Sequence, residues 1–410
     1  MTVVVVRSKF LDLGDSMLKE GEEGDDLKGV VTVTGAGVFD KNERLLPLIS
    51  LFLSEKVDAK SFALKTALTY GRNLSYCQDF LDSRQELRSW QLDDKFLHVG
   101  RPVLLKYVSE MHDDELGTKT IRNRDASILS FISKFLCIAR DDRPAFRIDN
   151  PYEAGLISPA PKSKIVKSCS LPELKVLIES TPHERERCLL QFIFDSGVRR
   201  SEVSRVTRFS IDEAIRLGQA ISPLEPRSLG VPSNYYLLHI NGSKGGGDQI
   251  KERLSMVSPA TLERVKRYHA SAIYKRHSRI FPKDKAPAFL NAHGKPYTAN
   301  SISALLARVS KRAIRQLKLE KSISPHKLRH GYAYALLNSK DIGDDYLERL
   351  GMLKVSMGHA SFKSTEMYTQ IPPSLLNAVC GTNLEAASKA VDMEKLFSET
   401  KLSIDARAKK

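Results

Sequence analysis

A proline-rich, basic stretch interrupts this chain and divides it into two parts. Pro151, Pro159 and Pro161 lie within residues 150–170, which show little hydrophobic periodicity. Because proline lacks a backbone donor and fixes φ, such a run favours an extended segment over a helix or a central strand. We therefore predict a linker over residues 150–170 between two domains. Its lysines would either follow a phosphate backbone or keep a tether in solvent.

The part before the linker predicts a helical domain behind an acidic extension. Apolar residues recur at helical spacing in residues 68–81 and 128–136, which favours an all-helical domain over residues 45–149. Bases precede the last of these apolar stripes and would meet either DNA phosphates or solvent. Residues 1–44 instead hold nine acids, six bases and two β-branched runs. We predict an N-terminal extension there, with short strands and no assigned role.

The part after the linker predicts a mixed domain over residues 171–374. Residues 185–195 include a run that is apolar nearly all round, as buried helices are, and Gly197 suits a helix C-cap. Runs rich in β-formers flank the glycine-rich stretch 241–252 and predict a hairpin. The fold class is therefore mostly α with a small antiparallel β-sheet. Apolar spacing over residues 375–410 adds a C-terminal helical tail, which we expect to pack within the chain.

The charge balance favours a polyanionic partner. Lys and Arg number 64 and Asp and Glu 49, a formal net charge of +15, which suits nucleic acid or anionic lipid. No apolar run approaches the length of a membrane span, and the five cysteines contain no CxxC pair. These features argue against secretion, membrane insertion, a disulfide framework and a thiolate zinc site, and they favour a cytoplasmic protein.

Residues 324–330, Ser-Pro-His-Lys-Leu-Arg-His, predict the start of a helix with a polar face. Serine at the N-cap and proline at the first helical position mark the start. Successive residues turn by about 100°, so His326, Arg329 and His330 share one face. The two histidines have the spacing of a zinc motif, but Lys327 replaces the required glutamate and Arg329 would repel a cation. An ordinary solvated polar face is the alternative.

Further short motifs complete a pattern in chain order. The segment Gly-Val-Arg-Arg-Ser-Glu carries Arg199, the glycine-rich turn carries Lys244, a Gly-His pair ends at His359, and Tyr368 follows. Together with the histidine-bearing helix they resemble the tyrosine recombinase (phage integrase) family, and the resemblance covers residues 45–371. It implies that family's two-domain core, a helical core-binding domain followed by a mixed α/β catalytic domain.

The resemblance implies cleavage of DNA through a covalent 3′-phosphotyrosyl intermediate, without metal, ATP or another cofactor. Tyr368 would attack the scissile phosphate, and His326 is our candidate for the base that takes its proton. Arg199 and Arg329 would bind the phosphate oxygens, because a guanidinium stays charged and offers paired planar donors.

Two more residues complete the implied catalytic set. His359 would donate to the phosphate, and Lys244 would protonate the departing 5′ oxygen. Lys251 competes with Lys244 for this role, since the turn is longer than the family's usual tight turn. Glu202 would support the local structure, and Arg200 would contact DNA or solvent.

The resemblance implies a site-specific DNA recombinase of integrase type, and we expect it to act for a mobile element. Its expected partners are double-stranded DNA and further copies of the chain, in a tetramer on DNA; an accessory bending or directionality factor is left open. In this family a C-terminal helix often docks on a neighbouring protomer, so docking in trans is the alternative for residues 375–410. The functional alternatives are a type IB topoisomerase-like enzyme or hairpin-forming resolvase, and a non-catalytic DNA-binding protein of the same fold.

Overall fold

The structure, a computed structural model, forms two compact units, each with its own core of buried apolar side chains. It describes residues 1–12, 30–140, 143–161, 166–220, 232, 234–242, 251–343, 345–359, 361, 363–366, 368 and 388–402. Within that set the first unit ends at residue 161 and the second begins at residue 166, so the boundary falls inside the predicted linker. None of the described helices is both long and apolar enough to cross a membrane.

The first unit is a hairpin followed by helices. Its strands and helices are β1 (Thr2–Asp12), β2 (Val30–Phe39), α1 (Pro47–Asp58), α2 (Leu64–Asp82), α3 (Lys95–His98), α4 (Arg101–Asp113) and α5 (Thr118–Phe131). A short π-helical segment, Ile132–Leu136, continues α5. Phe52 of α1 lies at the centre of the core, with its ring centroid 5.4 Å from those of Phe131 and Phe135.

The N-terminal hairpin belongs to this unit. β1 and β2 pair antiparallel, and the Val38 amide of β2 donates to the Ser50 hydroxyl of α1 at 3.0 Å. Val38 is buried in the helical core. The sequence predicts residues 1–44 as an acidic extension with short strands, and β1 and β2 lie within it. Most of the acids behind that prediction lie in residues 13–29, outside the described residues, whereas β2 is rich in valine and packs on the helices.

The chain on both sides of the unit boundary is packed. In the first unit the buried Asp125 carboxylate accepts from the Tyr152 hydroxyl at 2.9 Å and from the Ser158 amide and hydroxyl at 2.7 Å. In the second unit the Cys169 amide donates to the Lys327 carbonyl at 3.0 Å. The described parts of the predicted extended linker are therefore held by specific partners, which composition alone does not reveal.

The second unit is mostly helical, with one two-stranded sheet among its described residues. Its elements are α6 (Leu171–Glu179), α7 (Glu184–Ser196), α8 (Arg208–Ala220), β3 (Tyr236–Ile240), β4 (Arg253–Val257), α9 (Pro259–Ala270), α10 (Ala272–Ser278), α11 (Ala299–Arg315), α12 (Pro325–Leu337), α13 (Tyr346–Met357), α14 (Lys363–Glu366) and α15 (Lys389–Thr400). β3 and β4 pair antiparallel, as the hairpin prediction requires. The predicted fold class, mostly α with a small antiparallel sheet, is confirmed.

Two local signals of the sequence place the elements that frame the site. α7 ends at Gly197, whose φ of +58° and close contact with the Tyr332 ring, 2.3 Å from where a Cβ would lie, both require glycine. α12 begins at Pro325 after Ser324, whose hydroxyl accepts from the Lys327 amide at 3.4 Å. The turn after α7 and the first turn of α12 are therefore fixed locally.

α15 packs within its own chain, against α6, α7 and α9. At its start, Lys389 forms a buried ion pair with Asp195 of α7. At its end, the Thr400 hydroxyl accepts from the buried Arg264 guanidinium of α9 at 2.8 Å. The described part of the predicted C-terminal tail thus docks in cis, while residues 371–387 of the intervening chain lie outside the described residues.

Candidate active site

Arg199 lies in the short turn that follows α7. Its backbone amide donates to one oxygen of Glu202 and its guanidinium to the other, each at 2.7 Å. The Glu202 side chain is wholly buried, whereas 34% of the Arg199 side chain is exposed. The carboxylate therefore holds the guanidinium from behind and leaves its outer face open to a ligand.

The buried Glu202 carries a negative charge. Burial works to raise its pKa, but the Arg253 guanidinium, the Arg199 amide and the Arg329 charge outweigh burial and lower the pKa to about 2. Arg253 Nη2 donates to Glu202 at 2.8 Å. Since an ionised carboxylate accepts from arginine more strongly than a neutral one, Glu202 binds both the Arg199 and the Arg253 guanidinium.

Arg329 forms hydrogen bonds with the C-terminal ends of two helices. From α12 its buried guanidinium donates to the Gly197 carbonyl, at the end of α7, and to the Met357 carbonyl, at the end of α13. Carbonyls at helix C-termini carry partial negative charge and favour a cation. Burial, with the Arg199 and Arg253 charges, lowers the pKa of Arg329, although a guanidinium stays protonated at neutral pH.

A cleft of about 440 Å³ opens at these arginines. The turn after α7 and the first turn of α12 line it, through Arg199, Arg200, Ser201, Ser324, Pro325, His326 and Arg329. Burial and the nearby arginine charges lower the pKa of His326, so its ring is neutral at neutral pH. The cleft presents guanidinium groups and an uncharged imidazole, which suit an anionic ligand such as a phosphate.

Tyr368 is buried, 2% exposed, with its hydroxyl 2.7 Å from Nδ1 of His330. Burial raises the pKa of Tyr368 to about 12, although the Arg329 and Arg199 charges oppose the rise. Burial, with the His326 and Arg329 neighbours, lowers the pKa of His330 to about 4. At neutral pH a neutral phenol therefore faces a neutral imidazole.

His359 follows the C-cap glycine of α13 directly. Its ring is parallel to the Tyr368 ring, with an interplanar angle of 1° and centroids 6.4 Å apart. Its Nδ1 lies 2.9 Å from the hydroxyl of the buried Thr365. Burial, followed by the charges of Arg329 and Arg199, lowers the pKa of His359 to about 4. Three uncharged imidazoles therefore lie among the arginines and the tyrosine.

Comparison with known sequences identifies the family. Residues 171–374, which include every site residue described above, match the phage integrase family. The chain belongs to the tyrosine recombinase (phage integrase) family. Tyrosine recombinase XerC of Chlamydia trachomatis serovar L2 is 25% identical over 342 residues, covering 79% of this chain and 93% of the relative. Tyrosine recombinase XerD of Halalkalibacterium halodurans is 23% identical over 332 residues, with the same coverage.

Solved structures of tyrosine recombinases share the fold. The Tn1549 transposon integrase in complex with circular intermediate DNA matches with a TM-score of 0.54 at 17% identity, over 81% of this chain and 98% of that one. The XerH site-specific recombinase bound to a palindromic difH substrate matches with a TM-score of 0.53 at 18% identity, over 82% of this chain and 95% of that one. These likenesses establish the recombinase fold.

Five of the six predicted catalytic residues of the recombinase lie close together: Arg199, His326, Arg329, His359 and Tyr368. The sixth, Lys244, lies outside the described residues. Its competitor Lys251 is described and is exposed just before β4. Within the described part of the chain, no three His, Cys, Asp or Glu side chains converge as a metal site. The catalytic roles of these residues stay predictions.

The structure brings His330, rather than the predicted base His326, to the Tyr368 hydroxyl. The sequence places both histidines on one face of α12, but it does not show which of them Tyr368 meets. The His326 and His330 ring centroids are 4.1 Å apart, so His326 is the next ring along the helix. Their spacing of four residues is the signal that both belong to the site.

Arg253 is a second site residue without a sequence-based assignment. It is buried at the start of β4, and it donates to Glu202, to the Gly197 carbonyl at 3.4 Å and to the Ser356 carbonyl. An arginine at the start of a strand that is otherwise mostly apolar is its sequence signal. Exposed strand ends often carry such charges, so this signal alone does not predict burial.

Proposed function

We propose that this chain is a site-specific DNA recombinase that cuts and rejoins DNA through a 3′-phosphotyrosyl intermediate, for a mobile element. The observation that carries the proposal is the convergence of two guanidiniums and three uncharged imidazoles near one buried tyrosine. Phosphoryl transfer needs a nucleophile, positive groups at the non-bridging oxygens and proton transfer, which these side chains supply. The mobile-element setting rests on the length and divergence of the chain.

The proposed cleavage step uses the groups of this site together with the predicted general acid, Lys244. Tyr368 Oη attacks the scissile phosphorus, an O–P bond forms, and the bond from phosphorus to the 5′ oxygen breaks. The phenol proton passes to Nδ1 of His330, 2.7 Å away, and a lysine proton passes to the 5′ oxygen. Because the phosphate remains a diester, attack by another 5′ hydroxyl reverses the step and rejoins a strand without ATP.

His330 is suited to take the proton because it is neutral. Burial, with the His326 and Arg329 neighbours, holds its pKa at about 4, which leaves Nδ1 able to accept at neutral pH. A bound phosphate would bring negative charge to this cluster and raise that pKa, so the imidazolium would be stabilised when the nucleophile forms. His326, which lines the cleft, is then free to donate to the phosphate.

Arg199 and Arg329 support the proposal by their fixed positions. Arg199 is held by Glu202 and keeps an open outer face, and Arg329 uses two of its N–H groups on carbonyls. A guanidinium has five such groups, so donors remain for the non-bridging oxygens of a phosphate. Because the anchoring contacts exist before any ligand binds, the charge is oriented in advance.

Double-stranded DNA and further copies of the chain are the proposed partners. The net charge of +15 supports contact with a phosphate backbone. Exchange between two duplexes requires four strand cuts, and one nucleophile per chain then requires four copies. We therefore propose a tetramer on two DNA sites, acting in the cytoplasm with the nucleoid and without a cofactor.

Covalent capture tests the proposed function. The protein is expressed with candidate DNA, the mixture is denatured, and DNA that stays linked to protein is recovered and sequenced. We expect adducts at a shared sequence, joined through a 3′ phosphate and leaving a free 5′ hydroxyl. Linkage through a 5′ phosphate, or breaks without linked protein, would contradict the mechanism. Relaxation of supercoiled DNA at unrelated sequences would instead favour the topoisomerase-like alternative.

The general acid can be assigned with a sulfur-substituted substrate. When sulfur replaces the bridging 5′ oxygen, the leaving group is a thiolate, which needs no proton to depart. A variant that lacks the general acid should therefore cleave this substrate at the normal rate. We expect Lys244→Ala to slow cleavage of ordinary DNA on the order of 10²-fold and to regain its rate on the thiolate substrate. Lys251→Ala is the matched variant and should show neither effect. The reverse pattern would assign the role to Lys251.

The base can be assigned by chemical rescue. We expect His330→Ala to slow adduct formation on the order of 10²-fold, because the Tyr368 proton loses its acceptor. Added imidazole should restore part of the rate by occupying the vacated space. His326→Ala should weaken phosphate contact without imidazole rescue. If His330→Ala formed adducts at the wild-type rate and imidazole rescued only His326→Ala, His326 would be the base.

A further inference from the structure

We propose that Arg253 is a positioning residue for strand cleavage. Its single guanidinium fixes the positions of both Arg199 and His359. The inference rests on the proposed function. Arg253 is buried and is not among the residues that line the cleft, so it acts through its neighbours rather than on the phosphate. Its three acceptors lie in two segments of the second unit, the turn after α7 and the end of α13.

Arg253 acts on Arg199 through Glu202. Arg253 Nη2 donates to Oε2 of Glu202 at 2.8 Å, and the Arg199 guanidinium donates to Oε1 at 2.7 Å. Without the Arg253 charge and hydrogen bond, the pKa of Glu202 would rise, because burial raises it and Arg253 opposes that rise. A neutral carboxyl group holds Arg199 less strongly, so the Arg199 guanidinium would lose its fixed orientation.

Arg253 acts on His359 through the C-terminal end of α13. Arg253 Nη1 donates to the Ser356 carbonyl, three residues before His359. Gly358, the C-cap between them, has a φ of +61°, and a Cβ there would lie 2.6 Å from Cδ of Arg253. The glycine of the Gly-His pair is therefore needed both for its backbone conformation and for the space that Arg253 occupies. His359 is the residue that follows Gly358, so this contact helps to fix where its backbone leaves α13.

The geometry requires arginine rather than any cation. The Glu202 carboxylate, the Gly197 carbonyl and the Ser356 carbonyl accept from two different terminal nitrogens of one planar group. A lysine ammonium offers donors from a single atom on a flexible stem and cannot reproduce this spread. The charge and the planar shape of Arg253 therefore contribute separately to positioning. Arg253→Lys keeps the charge and loses the planar group, whereas Arg253→Gln loses the charge.

Single-turnover cleavage by the full chain, on the DNA site recovered by covalent capture, tests the inference. The rate constant reports positioning, and the amplitude reports the fraction of folded protein. We expect the rate constant to fall about 100-fold for Arg253→Gln and about 10-fold for Arg253→Lys. The DNA dissociation constant should change by less than about threefold, because Arg253 does not face the ligand.

Coupling to Glu202 separates positioning from a general loss of stability. Glu202→Gln combined with Arg253→Gln should be no more than about twofold slower than the slower single variant, because both act through one contact. Arg264 is the matched control: it is also buried in the same unit and pairs with Glu184 at 2.8 Å. Arg264→Gln should lower the amplitude and leave the rate constant within about twofold of wild type.

A readout independent of cleavage keeps this inference distinct from the proposed function. The Arg199 guanidinium protons, assigned by their loss in Arg199→Lys, should exchange slowly in wild type and quickly in Arg253→Gln, measured by NMR. Unchanged exchange, or a wild-type cleavage rate for Arg253→Gln, would overturn the inference. If the wild-type chain forms no DNA adduct, the proposed function fails, and the exchange measurement still decides whether Arg253 positions Arg199.

Discussion

Tyr368→Phe should abolish covalent attachment of the chain to DNA and leave DNA binding intact. The substitution removes only the hydroxyl group, so the ring contacts with His359 and with the edge of Tyr334 remain. Without a nucleophilic oxygen the O–P bond cannot form, and we expect a loss on the order of 10⁴-fold or more. Denaturing electrophoresis of labelled DNA measures the adduct, and fluorescence anisotropy measures binding.

Tyr334→Phe is the matched control for this prediction. Tyr334 lies on α12 with its ring centroid 5.5 Å from that of Tyr368, and its buried hydroxyl has no hydrogen-bond partner among the residues that the structure describes. Loss of that hydroxyl should leave adduct formation unchanged. Adducts that persist in Tyr368→Phe would show that another residue is the nucleophile. Loss of DNA binding in Tyr368→Phe would show that the hydroxyl also supports the DNA-bound conformation.

The sequence predicts most of the frame of the site because its signals are local. Ser324 and Pro325 mark the start of α12 through cap chemistry that acts within one turn. Gly197 marks the end of α7 because only a residue tolerant of positive φ fits there. Helical periodicity then places His326 and Arg329 on one face without reference to the rest of the fold.

The partners of those residues depend on contacts between distant parts of the chain. Tyr368 meets His330 across 38 residues, and Arg253 meets Glu202 across 51 residues. No local propensity distinguishes His330 from His326 as the contact of Tyr368, since both share a helix face. The burial of Arg253 likewise follows from the packing of β4 against α7 and α13, which a strand pattern does not contain.

The placement of the chain ends also follows from packing rather than pattern. Residues 1–44 are predicted as an acidic extension because their nine acids outnumber their six bases, whereas β2 packs on α1 through apolar side chains. The apolar spacing of the C-terminal tail predicts a helix but not its docking surface. That surface is set by Lys389, whose ammonium group enters the second unit beside Asp195.

The buried ion pair between Lys389 and Asp195 anchors α15 to the helix that precedes the Arg199 turn. Asp195 also accepts from the amide and hydroxyl of Ser258, at 2.8 and 2.9 Å. The Lys389 ammonium lies 4.9 Å from the Tyr235 ring centroid and 5.0 Å from that of Tyr332. These rings exclude water from the pair, so neither charge has an alternative partner in solvent.

Lys389→Met should destabilise the second unit by about 3–5 kcal/mol and release α15, because it leaves the Asp195 carboxylate buried without its cation. The single tryptophan, Trp90, lies in the first unit, so its fluorescence does not report this change. Hydrogen exchange of peptides from α7 and α15, followed through a denaturant series, measures it directly. The first unit should unfold at an unchanged denaturant concentration.

Two further variants decide whether the effect belongs to the buried charge. Lys175→Met removes an exposed ion pair between α6 and α15, Lys175 with Glu399 at 2.8 Å, and should leave exchange almost unchanged because solvent screens that pair. Asp195→Asn combined with Lys389→Met removes both buried charges and should recover much of the lost stability. If Lys389→Met were no more harmful than Lys175→Met, α15 would not be anchored by this pair. If the double variant stayed as unstable as Lys389→Met, lost packing of the lysine stem, rather than an uncompensated carboxylate, would explain the effect.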